Sequence, residues 1–162
     1  MDYIREAIEY LRHYNDLKIS LETLKYEVMQ IDAEIKSVKA IDYSGQPHGS
    51  GGKAPDDLLV NRVYRKQKAM QEIKLTKIKL AKLDEALSGL SEGQGNQLQE
   101  EMVRWFYVDN KKLSQVRKNL DQRNIEHNFK DKQLSDRQIY KIRDKGIKRM
   151  AIRFFGIKGF GD

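Results

Sequence analysis

The residues best equipped for chemistry lie near the C-terminus, in the stretch Ser135-Asp136-Arg137-Gln138-Ile139-Tyr140-Lys141-Ile142-Arg143-Asp144-Lys145-Gly146-Ile147-Lys148. At about 100° per residue of an α-helix, Ile139, Ile142, Gly146 and Met150 share one side. The opposite side carries Arg137, Lys141, Asp144 and Lys148, flanked by Gln138, Tyr140 and Lys145. Such groups at that spacing bind a polyanion rather than break a bond. Arg137 and Gln138 are the types that meet guanine and adenine edges with two hydrogen bonds each. With Tyr140 and Lys141 they are the candidates for base edges. Ser135 brings a hydroxyl to a helix N-terminus, where free N–H groups attract phosphate. Lys145 and Lys148, with Lys111, Lys112 and Arg117 upstream, suit a phosphate backbone. Asp144 opposes phosphate unless it pairs with Lys141 or Lys148, or accepts from a cytosine amine. The competing reading of the same residues is a solvated amphipathic helix of alternating charge.

Catalytic and metal constellations of useful specificity are missing from the sequence. His13, His48 and His127 fall in three different segments, none with a second ligand at metal-binding spacing. Cysteine is absent, which excludes disulfides, thiolate zinc sites and Cys nucleophiles. The adjacent Glu100 and Glu101 point about 100° apart on a helix and do not converge on one substrate. The Gly-rich stretch around Gly49-Ser50-Gly51-Gly52-Lys53 lacks the Gly-Lys-Ser/Thr triplet of a phosphate loop. The sequence therefore predicts a non-enzyme with no catalytic residue, metal or cofactor.

The charge distribution points the same way. The 162 residues carry a formal net charge of +7. Residues 1–55 hold 7 Lys/Arg against 9 Asp/Glu, and residues 56–96 hold 8 against 6. Residues 97–162 hold 16 against 9, a local excess equal to the net charge of the whole chain. A concentrated basic excess is the electrostatic footprint of polyanion binding. No apolar run reaches membrane-spanning length, and the first residues do not resemble a signal peptide. The expectation is a soluble cytoplasmic protein with no membrane partner.

Positioning these groups requires long helices. Hydrophobic residues make up 39% and charged residues 34%, a balance that suits amphipathic helices better than a large core. Residues 1–38 contain no Gly or Pro. Their apolar positions run Ile4, Ile8, Leu11, Tyr14, Leu17, Leu21, Leu24, Val28, Ile31, Ile35, Val38. From Leu17 the 3-4 alternation is a coiled-coil seam, and the three steps of three from Ile8 to Leu17 read as a stammer. The spacing predicts one helix of about 38 residues. Pro55-Asp56-Asp57 opens a second helix, with Leu59, Val63, Met70, Ile73, Leu80, Leu83 and Leu87 as its stripe and Lys66 and Lys77 falling on it. Ser88-Gly89 ends it. Residues 41–55, with four Gly and two Pro, connect the pair into a hairpin. Periodicity leaves open whether that hairpin also associates with a second copy. Ser91-Glu92-Gly93-Gln94-Gly95-Asn96 reads as a linker. Beyond it the sequence predicts helices over about 97–108, from Lys111 through Leu120, and from an N-cap at Ser135 to about Phe155, then a frayed tail from Gly156.

The order of a helix ending Trp105-Phe106-Tyr107, then Lys112-Leu113-Ser114-Gln115-Val116-Arg117-Lys118-Asn119-Leu120, then Leu134 to Met150, resembles the helix-turn-helix of sigma-factor region 4. More closely, it resembles the phage late-gene transcription activators of the RinA/ArpU type. In those a similar C-terminal segment follows a long helical region. Ala40-Ile41-Asp42-Tyr43-Ser44, the Gly/Ser-rich loop and Asp56-Asp57 also look like the mid-region of those proteins. One departure is the 14-residue span from Asp121 to Leu134, where a tight helix-turn-helix uses three or four residues. Either the second helix is longer, or the connection is an extended wing-like loop. The resemblance implies a DNA-binding regulator of phage or prophage late genes, acting in the bacterial host cell with double-stranded DNA and host RNA polymerase as partners.

Together these readings predict an all-α protein. An N-terminal helical hairpin (1–90) would serve association or partner binding, and a three-helix helix-turn-helix module (97–155) would dock in a major groove. Two rivals share the pattern: a DNA-packaging recognition subunit that would form a ring, and a coiled-coil interaction protein with a solubilising basic tail.

Overall fold

The computed structural model describes residues 2–42, 55–93, 96–126 and 134–156. All regular structure in them is helical: α1 (Tyr3–Arg12), α2 (Tyr14–Asp42), α3 (Pro55–Ser88), α4 (Gln99–Val103) running on into a π-helical turn (Arg104–Val108), α5 (Leu113–Glu126) and α6 (Asp136–Phe155). The fold is all-α. The expectations for Tyr43–Gly52, for His48 and His127, and for the tail beyond Gly156 lie outside the described residues. The chain forms two compact units, one of Asp16–Lys79 and one of Met1–Asn15 with Leu80–Asp162. This division differs from the expected modules 1–90 and 97–155.

In the unit of Asp16–Lys79 the α2 seam follows the expected positions. Leu17, Leu21, Leu24, Val28, Ile35 and Val38 are partly buried and Ile31 is fully buried. The α3 seam keeps Leu59, Lys66, Ile73, Leu80, Leu83 and Leu87 of the expected stripe but not Val63, Met70 or Lys77. Val63 and Met70 are 39% and 53% exposed. Arg62, Ala69 and Thr76 complete it, so that the covered positions Leu59, Arg62, Lys66, Ala69, Ile73 and Thr76 follow a strict 3-4 alternation. Two cations can sit on a seam because their stems pack while their heads reach carboxylates. Arg62 Nε meets Glu34 at 3.1 Å and Lys66 Nζ meets Asp32 at 2.6 Å. Arg65 stands 3.9 Å from Glu27. These pairs set α2 and α3 antiparallel. Each is half-exposed and contributes at most about 1 kcal/mol, so they fix register more than stability.

The expected 38-residue helix is broken at His13, whose φ and ψ of −89° and 6° leave the helical region. The break falls inside the run of three-residue steps. A helix of 3.6 residues per turn cannot keep a three-residue repeat on one face, and the chain resolves the conflict by ending α1 and restarting. Asp2 caps α1, accepting from the Ile4 and Arg5 N–H groups at 3.1 Å each. Ala7 and Leu11 are fully buried, and α1 packs against α6. The Tyr3 and Phe155 rings lie 5.2 Å apart, as do those of Tyr10 and Phe154. After the break the Tyr14 hydroxyl bonds to the Asp84 carboxylate, and Asn15 Nδ2 donates to the Val108 carbonyl at 3.2 Å.

Around the segment expected to be a linker, Leu90, Glu92, Asn96 and Gln99 are tied into the fold. Arg149 of α6 donates to the Leu90 carbonyl at 3.0 Å, to Gln99 Oε1 at 2.8 Å and to the Glu92 carbonyl at 3.3 Å. Gln99 is buried, and its Nε2 donates to Asn96 Oδ1 at 2.6 Å. Leu83, Ala86, Leu87 and Leu90 are buried, and Lys82 Nζ lies 4.8 Å from the centre of the Phe154 ring. The end of α3 is therefore built into the same unit as α6.

Behind α6, Met102, Val116, Leu120 and Ile139 form a core, with Leu98, Trp105, Phe106, Leu113, Leu134 and Ile142 around it. Gly146 allows the closest approach. A Cβ there would stand 2.8 Å from Val103 Cγ2 and 3.2 Å from the Gln99 carbonyl oxygen. Replacing a helical Gly by Ala normally gains about 1 kcal/mol, but overpacking costs about 1–3 kcal/mol. Gly146→Ala should therefore be destabilising in urea denaturation. A double-mutant cycle with Val103→Ala should show favourable coupling between the two sites.

Candidate nucleic-acid interface

The candidate face is held by a rigid α6. Ser135 Oγ accepts from the Gln138 N–H at 3.3 Å, and Gln138 Oε1 accepts from the Ser135 N–H at 2.8 Å, a reciprocal capping box. Asp136 in the first turn is tied to Arg117 of α5, whose Nε lies 2.8 Å from its Oδ1. Ile139, Gly146, Ile147, Met150, Ala151 and Phe154 are buried, so the opposite face is presented outward without freedom to roll.

That outward face is open. Arg137, Gln138, Tyr140, Lys141, Asp144, Lys145 and Lys148 line one open cavity of about 980 Å³, and all the described residues that line it belong to α6. Arg137, Lys141, Asp144 and Lys148 follow one another at steps of four, three and four, a stripe about 16 Å long. The structure thus brings six expected residues together: Arg137, Gln138, Tyr140, Lys141, Lys145 and Lys148. Ser135, Lys111, Lys112 and Arg117 do not line the cavity.

Several of the ten have work within the fold. The Ser135 hydroxyl and Gln138 Oε1 belong to the cap. Gln138 therefore has only its Nε2 to present, not the acceptor-and-donor pair expected for adenine. Arg117 holds Asp136. Lys111 Nζ stands 3.8 Å from Asp109. With its carboxamide oxygen turned inward, Asn119 accepts from Lys111 Nζ at 2.7 Å and from Trp105 Nε1 at 3.2 Å. Among the three upstream cations, Lys112 is exposed at the start of α5.

Arg143 is the participant that sequence spacing missed. Its guanidinium carbon lies 4.7 Å from the Tyr140 ring centre and 5.3 Å from that of Phe106. Its Nε and Nη2 contact Asp144 Oδ1 at 2.8 and 2.6 Å. The π-helical turn places Phe106 for this stack, 6.0 Å from the Tyr140 ring. A sequence signal existed in the aromatic run Trp105-Phe106-Tyr107, but nothing in it named Arg143. Burial pushes the neighbouring Tyr107 phenol above its ordinary pKa of 10.0. Arg143 opposes that shift, Asp144 adds to it and Arg12 opposes it.

The chain matches no family model, no curated protein and no solved structure. The assignment of this face therefore stands on its own geometry. Among the described residues no group of three His, Asp or Glu side chains is placed to hold a metal ion, and no helix is long and apolar enough to cross a membrane. α5 continues to Glu126, so of the two alternatives for residues 121–134 the longer second helix holds over that part. Residues 127–133 lie outside the described residues.

Proposed function

We propose that the chain is a sequence-specific DNA-binding protein that inserts the outward face of α6 into a major groove, as a regulator of transcription. The supporting observation is the clustering of Arg137, Gln138, Tyr140, Lys141, Lys145 and Lys148 on one outward face of a capped, internally braced helix. An α-helix is the element a major groove admits, and the 16-Å stripe spans about five base steps at 3.4 Å each. The unequal charge of the chain supports the same reading, because the unit that carries α6 also carries the basic excess of residues 97–162. The resemblance to RinA/ArpU-type activators suggests late phage genes as targets and the host polymerase as partner.

The test is recovery of sheared source-genome DNA by the full-length chain, with excess competitor DNA at near-physiological salt, followed by sequencing. Enrichment of a few sites upstream of a gene block is the expected result. Enrichment beside a packaging gene, with a many-subunit mass in solution, would support a packaging protein instead. No enrichment would overturn the proposal. On an enriched site, Arg137→Ala should cost about 1–3 kcal/mol and relax preference at one position. Lys148→Ala should weaken all sequences alike and reduce the salt dependence by about one ion. Unchanged affinity and preference in both Arg137→Ala and Lys141→Ala would remove α6 as the docking element.

A further inference from the structure

We infer that Asp144 is the residue that selects cytosine within the bound site, an inference that rests on the DNA-binding reading of α6 and sharpens it. Among the described residues of this outward face Asp144 is the one acid, set between Lys141, Lys145 and Lys148. A surface built only to hold phosphate loses attraction by carrying a carboxylate there. Its ion pair does not run to the lysines a turn away. Both contacts come from Arg143 and both fall on Oδ1, so that, among the described residues, Oδ2 has no hydrogen-bond partner. Arg143 is itself fixed over the Phe106 and Tyr140 rings. The carboxylate is thus oriented from one side while its side chain stays 54% exposed.

An ionised carboxylate only accepts hydrogen bonds. In the major groove guanine offers N7 and O6 and thymine offers O4, all acceptors that repel it. Adenine and cytosine offer an amine, but adenine places the N7 acceptor beside its amine, where the second carboxylate oxygen would fall. Cytosine has no acceptor on that edge and is the base that fits. Register follows from the helix. Asp144 lies seven residues beyond Arg137, about 10.5 Å along the axis, or about three base steps. The preferred site therefore carries a guanine under Arg137 and a cytosine about three steps away.

The experiment is selection from a random-sequence duplex library by the full-length wild type, Asp144→Asn and Arg143→Met, with thermal melting to confirm that each variant folds. Asparagine keeps a carbonyl oxygen for Arg143, so the brace survives while the charge goes. The wild type should yield a motif with the guanine and cytosine so spaced. In Asp144→Asn discrimination at the cytosine should fall about tenfold, with the rest of the motif retained and binding to unrelated DNA strengthened. Arg143→Met should weaken preference at that same position and, beyond it, only at a base under Tyr140, whose ring the guanidinium also covers. An identical motif from Asp144→Asn, or a loss spread over every position in Arg143→Met, would make Asp144 a packing partner of Arg143 and overturn the inference. Failure of the wild type to enrich any motif would overturn the DNA-binding reading itself, and this inference with it.

Discussion

Replacing Arg149 by methionine is expected to lower the unfolding free energy by about 3 kcal/mol, measured by urea denaturation at neutral pH. The guanidinium serves the Leu90 carbonyl, the Glu92 carbonyl and Gln99 Oε1 together. Hydrogen bonds to a charged donor contribute about 1.5–3 kcal/mol, and a buried acceptor left unserved adds a further penalty. Leu90 and Gln99 are both buried, so water does not replace the lost donor freely. Methionine fills much of the stem's volume and isolates the polar contribution. Arg149→Lys should recover less than half of the loss, because one ammonium cannot reproduce the planar fork that reaches several acceptors. A loss below about 1 kcal/mol would mean that the 90–92 segment is held by its apolar contacts alone.

Leu11→Ala is expected to cost about 2–5 kcal/mol, and the cost should be visible far from residue 11 in sequence. Leu11 is fully buried on an α1 that packs against α6. Trp105, the single tryptophan, packs against the core beneath α6 and reports unfolding of that unit by fluorescence. The Trp105 transition should move to lower urea by the same free energy as the helical signal. Leu24→Ala, at a partly buried position of the other unit, should cost less. If Leu11→Ala left the Trp105 transition in place, α1 would belong with the long hairpin, as its apolar spacing suggested.

The parts of the fold that could be read from sequence are those where side-chain polarity and burial agree. The α2 seam has an apolar residue at every 3-4 step, with Glu27, Asp32 and Glu34 partly covered beside it, and so those steps located it. The α3 seam does not: Arg62, Lys66 and Thr76 occupy covered positions while Val63 and Met70 stand exposed. Reading apolar residues alone therefore adds Val63 and Met70 to the stripe and leaves out Arg62 and Thr76. The stammer before Leu17 was visible, but its outcome, a break at His13, depends on what α1 meets across the fold. Gly93 and Gly95 give residues 91–96 the look of a linker, and only the position of Arg149 shows that the segment is held. On α6 the outward face was legible because the buried Ile139, Gly146 and Met150 and the partly buried Ile142 recur at helical spacing. Its finer chemistry was not. The capping box that occupies Gln138, and the stack that turns Arg143 toward Asp144, both depend on pairings that spacing does not specify.

The meeting of α1 with α6 has a consequence during synthesis. The ring that covers Tyr3 belongs to Phe155, so α1 leaves the ribosome well before the helix that covers it. At about 5–20 residues per second, the apolar side of α1 waits on the order of ten seconds in the cell with Ala7 and Leu11 bare. The unit that bears the basic face cannot close until α6 has emerged. Residues 16–79 can pair by local contacts in the meantime. The nascent chain thus offers a window in which a chaperone, or the α6 of a neighbouring nascent copy, competes for the same helix.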